Sequence, residues 1–182
     1  MARLPTIQRE QLAPEQQPFY DAIAQSRGTI SGPFTVLLNS PDLAARVAGV
    51  GAYIRFEAML PLKVRTLAAI FTARELDCQY EWAAWVPQAQ AAGVRDEIIA
   101  AVRDRRPPRD TTEEESQVLD FCHQALRGNH HVSDATYQAV VARFGVQGAV
   151  ELAATIGYFA MIAMPLNAFE VDPNPAVPRL II

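Results

Sequence analysis

Along most of this chain apolar residues recur at intervals of three and four, the spacing that gathers them on one face of a helix. No alternating run is long enough to form a strand. Pro14 to about Ser26 is amphipathic, with Gly28 as its stop signal. Gly32 to Leu38 reads as an extended connection. Ser40 then caps a helix with Pro41 at its first position, running to about Met59. Pro61 opens the next helix, apolar at Leu62, Val64, Leu67, Ala68, Ile70 and Phe71, up to about Glu75.

A helix starting near Cys78 follows almost at once and ends at Ala92-Gly93, with a kink expected at Pro87 because proline removes a backbone donor. Arg95 to Arg103 is a short helix, and residues 104–110, rich in Arg, Asp and Pro, form a linker. Thr112 and Glu115 are spaced as a capping box for a helix ending near Arg127-Gly128. Ser133-Asp134 begins another helix, closed by Gly145, and a long apolar helix runs from about Gln147 to Glu170. The tail, Val171 to Ile182, carries Pro173, Pro175 and Pro178 and should be extended, its apolar end covered by its own or another subunit. The fold class is all-α, a single domain over 1–182 with two helical halves joined near 104–110.

At 182 residues and 50% apolar, the chain is long enough for one filled core. The net charge is −4 and Lys63 is the only lysine. The one basic cluster (Arg103, Arg105, Arg106, Arg109) is interrupted by Asp104, Pro107 and Pro108, so it reads as a solvated loop and no nucleic-acid partner is expected. Two cysteines, Cys78 and Cys122, make no disulfide framework. The start, Met-Ala-Arg-Leu-Pro-Thr, lacks the apolar run of a signal peptide, and a cytoplasmic protein is expected. Leu152 to Phe169 is uncharged for a membrane-span length. It contains Pro165 and Asn167 and is bracketed by Glu151 and Glu170 without basic anchors, so a buried core helix is expected and no membrane.

The chemistry concentrates at Cys78-Gln79-Tyr80-Glu81-Trp82 and Trp85, where a thiol, a carboxylate and two indoles fall on one helical stripe. A thiol at a helix start is acidified by unpaired backbone donors, whereas a neighbouring carboxylate disfavours a second negative charge. Cys78 is therefore either a reactive thiol or a small buried hydrophobe. Glu81 is a base, a protonated acid, or the ion-pair partner of Arg55, Arg65 or Arg74. Cys122, 44 residues from Cys78, reads as core rather than as a resolving thiol. His130 and His131 have no ligand at metal spacing, His123 has no evident partner, and no metal or cofactor is expected.

These elements, in this order, resemble the carboxymuconolactone decarboxylase and alkylhydroperoxidase D-like superfamily from about Gly32 to Pro175. The first anchor is Leu60-Pro61-Leu62-Lys63-Val64-Arg65-Thr66-Leu67, then Ala73-Arg74, Cys78-Gln79-Tyr80-Glu81-Trp82 and Ala89-Gln90-Ala91-Ala92-Gly93. The second is Val150-Glu151-Leu152 with Gly157-Tyr158-Phe159 and Ala163-Met164-Pro165-Leu166-Asn167. The resemblance implies an all-helical homo-oligomer, a trimer or hexamer. The redox branch has two cysteines as Cys-x-x-Cys, a histidine four residues on and a glutamate one helix earlier. Cys78 keeps the first cysteine, while Glu81, Trp85 and Thr66 stand at the other three positions. The decarboxylase branch relies on an acid/base histidine that is absent here too.

The leading expectation is an acid/base enzyme on a small organic acid or lactone-like substrate. Glu81 and Cys78 are its candidate catalytic residues, and Trp85, Tyr158, Asn167 and Arg55 its candidate substrate-binding residues. The alternatives are a thiol-dependent peroxidase using Cys78 and a non-catalytic binding or scaffold protein.

Overall fold

The computed structural model describes residues 2–173 and 180, and among them the regular structure is helical throughout. A 3-10 turn at Arg9–Gln11 precedes α1 (Gln17–Arg27), α2 (Phe34–Leu37), α3 (Pro41–Ala52), a π-turn at Tyr53–Glu57, α4 (Leu62–Glu75), α5 (Gln79–Ala91), α6 (Asp96–Arg103), α7 (Glu113–Leu126) and α8 (Asp134–Ala168).

Helix α4 is the hub of the core. Leu67, Ala68, Ala69, Ile70, Phe71, Thr72 and Ala73 are all buried, and a helix covered on every side has neighbours on every side. It packs against α5, α6, α7 and α8. Its alanines allow close approach, and its buried Thr72 hydroxyl donates back to the Ala68 carbonyl at 2.8 Å. Residues from both sides of the 104–110 linker enter the same apolar core: Val64, Ile70 and Trp82 from one half, Val118, Cys122, Leu152 and Phe159 from the other.

The capping box is present, with Thr112 Oγ1 accepting from the Glu115 N–H and Glu115 Oε2 from the Thr112 N–H. Glu115 has a second role. Its side chain is 1% exposed and pairs with Lys63 at 2.9 Å and Arg95 at 3.1 Å, tying α4 and the start of α6 to α7. Burial alone would raise its pKa, but the Lys63 ammonium, the Thr112 N–H and Arg95 outweigh it and hold the carboxyl at about 2.

Gly145 interrupts α8 with φ +71° and ψ 174°, a backbone that strains any side-chain-bearing residue. Beyond it the apolar segment presents Leu152, Ile156, Phe159, Ile162, Ala163 and Leu166 to the core. This helix is long and apolar enough to cross a membrane, but its buried face is the inner wall of the bundle.

Three local expectations are corrected. Residues 34–37 form a short helix rather than an extended connection, because Pro33 is already in the α region and starts the turn. Ser40 precedes α3 without a side-chain cap; its carbonyl accepts from the Ala44 N–H at 2.9 Å. The third helix does not run regularly to Met59 but leaves the α-helical pattern at Tyr53 for a π-turn. Helix α5 carries Pro87 inside its Gln79–Ala91 span. The linker cluster is also more than solvated: Arg105 donates to the Arg74 carbonyl and to Asp77, both at 2.9 Å, clamping the α4–α5 turn. Of the tail, residues 174–179, 181 and 182 lie outside the described residues. Leu180 is buried on its own chain, its N–H donating to Gln79 Oε1.

Candidate functional site

A cavity of about 190 Å³ opens where α1, the Ser31–Phe34 segment, the π-turn, α5 and α8 converge. Its polar lining includes Arg27, Arg55, Tyr80, Glu81 and Tyr158, and its apolar walls include Phe34, Trp85 and Phe159. A second cavity of about 310 Å³ shares Arg55, Trp85, Gln88 and Phe159 with the first. Those four residues are the common wall of two adjoining spaces.

Glu81 lies in the first turn of α5 and is 4% exposed. The Trp85 indole N–H, one helical turn on, donates to Glu81 Oε2 at 2.8 Å. Among the described residues Oε1 accepts no hydrogen bond. Burial pushes the carboxyl up to about 7, and the Trp85 N–H and the Arg55 charge only partly oppose it. A carboxyl that changes charge near neutrality, with one oxygen unclaimed inside a cavity, suits proton transfer.

Trp85 is fixed from both sides. Its ring stands edge-on to Phe159, centroids 4.9 Å apart at 80°, and the Arg55 guanidinium lies 5.5 Å from its centroid. Arg55 sits in the π-turn, an element that recurs at functional sites because it re-aims a side chain out of the helical register. The turn is held at two points. Arg65 Nη1 donates to the Ile54 and Arg55 carbonyls at 2.7 and 2.6 Å. Glu151, buried on α8, accepts from the Tyr53 hydroxyl at 2.7 Å, the Met59 N–H at 2.8 Å and the Leu60 N–H at 3.3 Å.

Tyr158 reaches the cavity because Gly51 of α3 leaves room for it. A Cβ at position 51 would lie 2.2 Å from the Tyr158 hydroxyl oxygen and 3.2 Å from Arg27 Nη2. Arg27 ends α1, stacks 4.3 Å from the Phe34 centroid and donates to the Ala48 carbonyl at 3.3 Å.

Glu81, Trp85, Tyr158 and Arg55 are thus gathered at one cavity, and two other proposed site residues are not. Cys78 is the N-cap of α5, fully buried in the apolar core and absent from the cavity lining. Burial pushes its thiol up to about 12, outweighing the Glu81 and Tyr80 backbone donors that face the sulfur, and the Glu81 charge adds to the rise. The expected acidification at a helix start loses to desolvation. Asn167 is exposed near the end of α8, where its amide donates to the Leu76 carbonyl at 2.8 Å, closing the α4–α5 turn rather than a binding site. Of the other arginines weighed for Glu81, Arg65 serves the π-turn and Arg74 pairs with Asp77. Thr66 is buried, its hydroxyl turned back to the Lys63 carbonyl.

Sequence reasoning missed Arg27, Phe34, Tyr80 and Phe159. Tyr80 and Phe159 were adjacent to chosen residues and within reach of the same argument. Arg27 and Phe34 come from an earlier part of the chain, and nothing in their local sequence signals that α1, packed on α3, brings its end to a cavity walled by α5 and α8.

Comparison with known proteins places this arrangement. The fold is similar to the alkylhydroperoxidase AhpD core of an uncharacterized peroxidase-related protein from Ralstonia eutropha JMP134 (TM-score 0.77, 16% identity, covering 96% of this chain and 93% of that one). It is also similar to the debrominase Bmp8, whose Cys-to-Ala variant was crystallised with 2,3,4-tribromopyrrole (TM-score 0.72, 19% identity, 94% and 91% covered). A protein of unknown function from Agrobacterium tumefaciens is a third neighbour (TM-score 0.66, 14% identity, 76% and 94% covered). At these identities the likeness is one of fold, and that fold is all-helical and AhpD-like. No curated protein matches the sequence. Residues 41–124 match the model of the Carboxymuconolactone decarboxylase family, a span that includes α4, α5 and Glu81. Over that span the chain is similar to the Carboxymuconolactone decarboxylase family, and its fold is AhpD-like.

Proposed function

We propose that this protein is an acid/base enzyme acting on a small organic acid or lactone-like molecule, with Glu81 as the proton-transferring residue. One observation carries the reading: the Glu81 carboxyl is buried in a cavity wall, pushed up to about 7, with Oε1 unclaimed by any described residue. In its neutral form Glu81 delivers its proton to a carbon or oxygen of the substrate that gains an electron pair as a neighbouring bond breaks. The carboxylate left behind faces the Trp85 N–H and the Arg55 charge, which favour that state. The reverse transfer makes Glu81 a base. A cavity of about 190 Å³ is smaller than the ~300–1,000 Å³ of sites for drug-sized ligands, which favours a substrate of about one ring. The tribromopyrrole bound by the debrominase Bmp8, a fold neighbour, is a single-ring compound.

Thiol peroxidase chemistry has less support in the same geometry, since Cys78 is sealed from the cavity and held as the neutral thiol. A homo-oligomer goes with this reading. Phe56, Met59 and Leu62, beside the π-turn, are exposed to 63%, 54% and 51%, an apolar edge suited to a subunit contact.

The test is a panel of small unsaturated carboxylic acids and lactones, followed by ultraviolet absorbance, carbon dioxide release and deuterium incorporation from heavy water. Turnover of at least one member should fall by about 10²-fold or more in Glu81→Gln. The pH profile should have a limb near 7, falling above it if Glu81 acts as an acid and rising through it if it acts as a base. Turnover that survives Glu81→Gln, or a profile without that limb, overturns the assignment.

A further inference from the structure

We infer that Arg27, Arg55 and the Tyr158 hydroxyl form an anion subsite in the Glu81 cavity, one that takes the carboxylate of a planar ring acid. The ring would lie against Trp85 and Phe159. This deepens the functional reading above, and it depends on that cavity being a binding site.

Arg127 grips Glu75 with two bonds of 2.5 Å, Arg95 reaches Glu115 at 3.1 Å, and Arg9 reaches Asp21 at 2.7 Å. Arg27 and Arg55 differ. Both are half-buried and line the cavity, and among the described residues neither has a carboxylate within ion-pair distance. Each faces aromatic rings instead, Arg27 over Phe34 at 4.3 Å and Arg55 over Phe56 and Trp85 at 5.3 and 5.5 Å. The two guanidiniums are close enough to disfavour one another, and burial weighs more heavily still against the Arg27 cation. Two like charges gathered in a partly desolvated space, with Glu81 as the acidic group beside them, leave an excess of positive charge. A bound anion would remove it.

The surroundings select the kind of anion. A guanidinium is a planar fork matched to the two oxygens of a carboxylate. Phe34, Trp85 and Phe159 offer apolar, edge-and-face surface suited to a flat ring rather than to a sugar or a compact oxyanion. The Tyr158 hydroxyl, seated over Gly51, adds a donor beside Arg27. When Glu81 is neutral it does not repel such a guest. Binding should therefore be tighter on the acid side of neutrality in the wild type.

The experiment measures binding rather than turnover, so that this inference and the catalytic reading fail separately. Benzoate and its neutral isostere benzamide are titrated calorimetrically into the wild type, Arg55→Gln, Arg27→Gln, Arg27→Lys and Glu81→Gln at pH 6.5 and pH 8. Benzoate should bind about tenfold or more tighter than benzamide, and each Arg→Gln change should remove about that factor for benzoate while leaving benzamide unmoved. Arg27→Lys should restore part of the loss. Among the described residues the Arg55 side chain makes no hydrogen bond, so Arg55→Gln remains informative if Arg27→Gln fails to fold. Glu81→Gln should keep benzoate binding and lose the weakening seen at pH 8. Equal binding of benzoate and benzamide, saturation by neither, indifference of benzoate to Arg55→Gln, or sulfate competing as well as benzoate would overturn the subsite. Benzoate binding of the expected pattern with no acid turned over would leave the subsite standing and remove the catalytic reading.

Discussion

Replacing Glu81 by glutamine gives the most direct physical test of the site, because it predicts a gain of stability whose size depends on pH. In the folded protein the carboxyl ionises at about 7, against an ordinary value of 4.5. A carboxyl with a raised folded value costs no stability below its unfolded pKa, costs progressively more as the pH rises through the interval, and costs the full amount above the folded value. At ~1.36 kcal/mol per pH unit the interval between 4.5 and 7 amounts to about 3 kcal/mol, most of it appearing between pH 5 and pH 8. Glutamine removes the titration while its side-chain oxygen can still accept from the Trp85 indole, so packing and the hydrogen bond are retained. Glu81→Gln should therefore match the wild type near pH 4.5 and exceed it by about 3 kcal/mol at pH 8. For a chain of this length that corresponds to about 6–12 °C in melting temperature. Urea denaturation of both proteins from pH 4.5 to 8.5 measures the gap directly, since other titrating groups cancel in the difference. A gap that stays constant with pH, or a variant less stable than the wild type at pH 8, would refute the claim that the wild type holds a desolvated, proton-exchanging carboxyl.

Glu115 should behave in the opposite sense: held at about 2, it contributes stability above the unfolded value that is lost as the pH falls through 2. Glu115→Gln should cost about 3–5 kcal/mol at pH 7 in urea denaturation, with the difference shrinking toward pH 2. Gly51→Ala forces a methyl group to within 2.2 Å of the Tyr158 hydroxyl and should cost about 1–3 kcal/mol, partly recovered in Gly51→Ala with Tyr158→Phe, as thermal melts will show. Both thiols are buried, so Cys78 and Cys122 should resist a thiol reagent in the native state and react at the unfolding rate. Peroxide should leave no high-yield intramolecular bridge between them in mass spectra. Light scattering should find a closed oligomer, and a clean monomer at micromolar concentration would contradict the role given to the Phe56–Leu62 edge.

The all-helical architecture and most helix boundaries were legible in the sequence, because they rest on local rules. The Thr112–Glu115 box, Gly145 and the apolar periods each act over a few residues, and the structure has them where the pattern placed them. Pairing of Glu81 with Trp85 was legible for the same reason: residues four apart on a helix share a face. Cys78 shares that stripe too, yet only tertiary packing decided that its sulfur would be buried in the core while Glu81 faces a cavity. Periodicity says which residues are neighbours, not how much water each retains, and desolvation overrode the helix-start effect on the thiol. The π-turn that aims Arg55 was invisible because it depends on distant partners, with Arg65 holding its Ile54 and Arg55 carbonyls and Glu151 its Tyr53 hydroxyl and the Met59 N–H just beyond it. Arg27 joined the site only because α1 folds back across α3, and no residue near position 27 carries information about Ala48 or Tyr158. Short-range geometry fixed the helices. The cavity, its charge and its acid were decided by contacts between parts of the chain that are far apart in sequence, where the energy depends on burial that only the assembled fold provides.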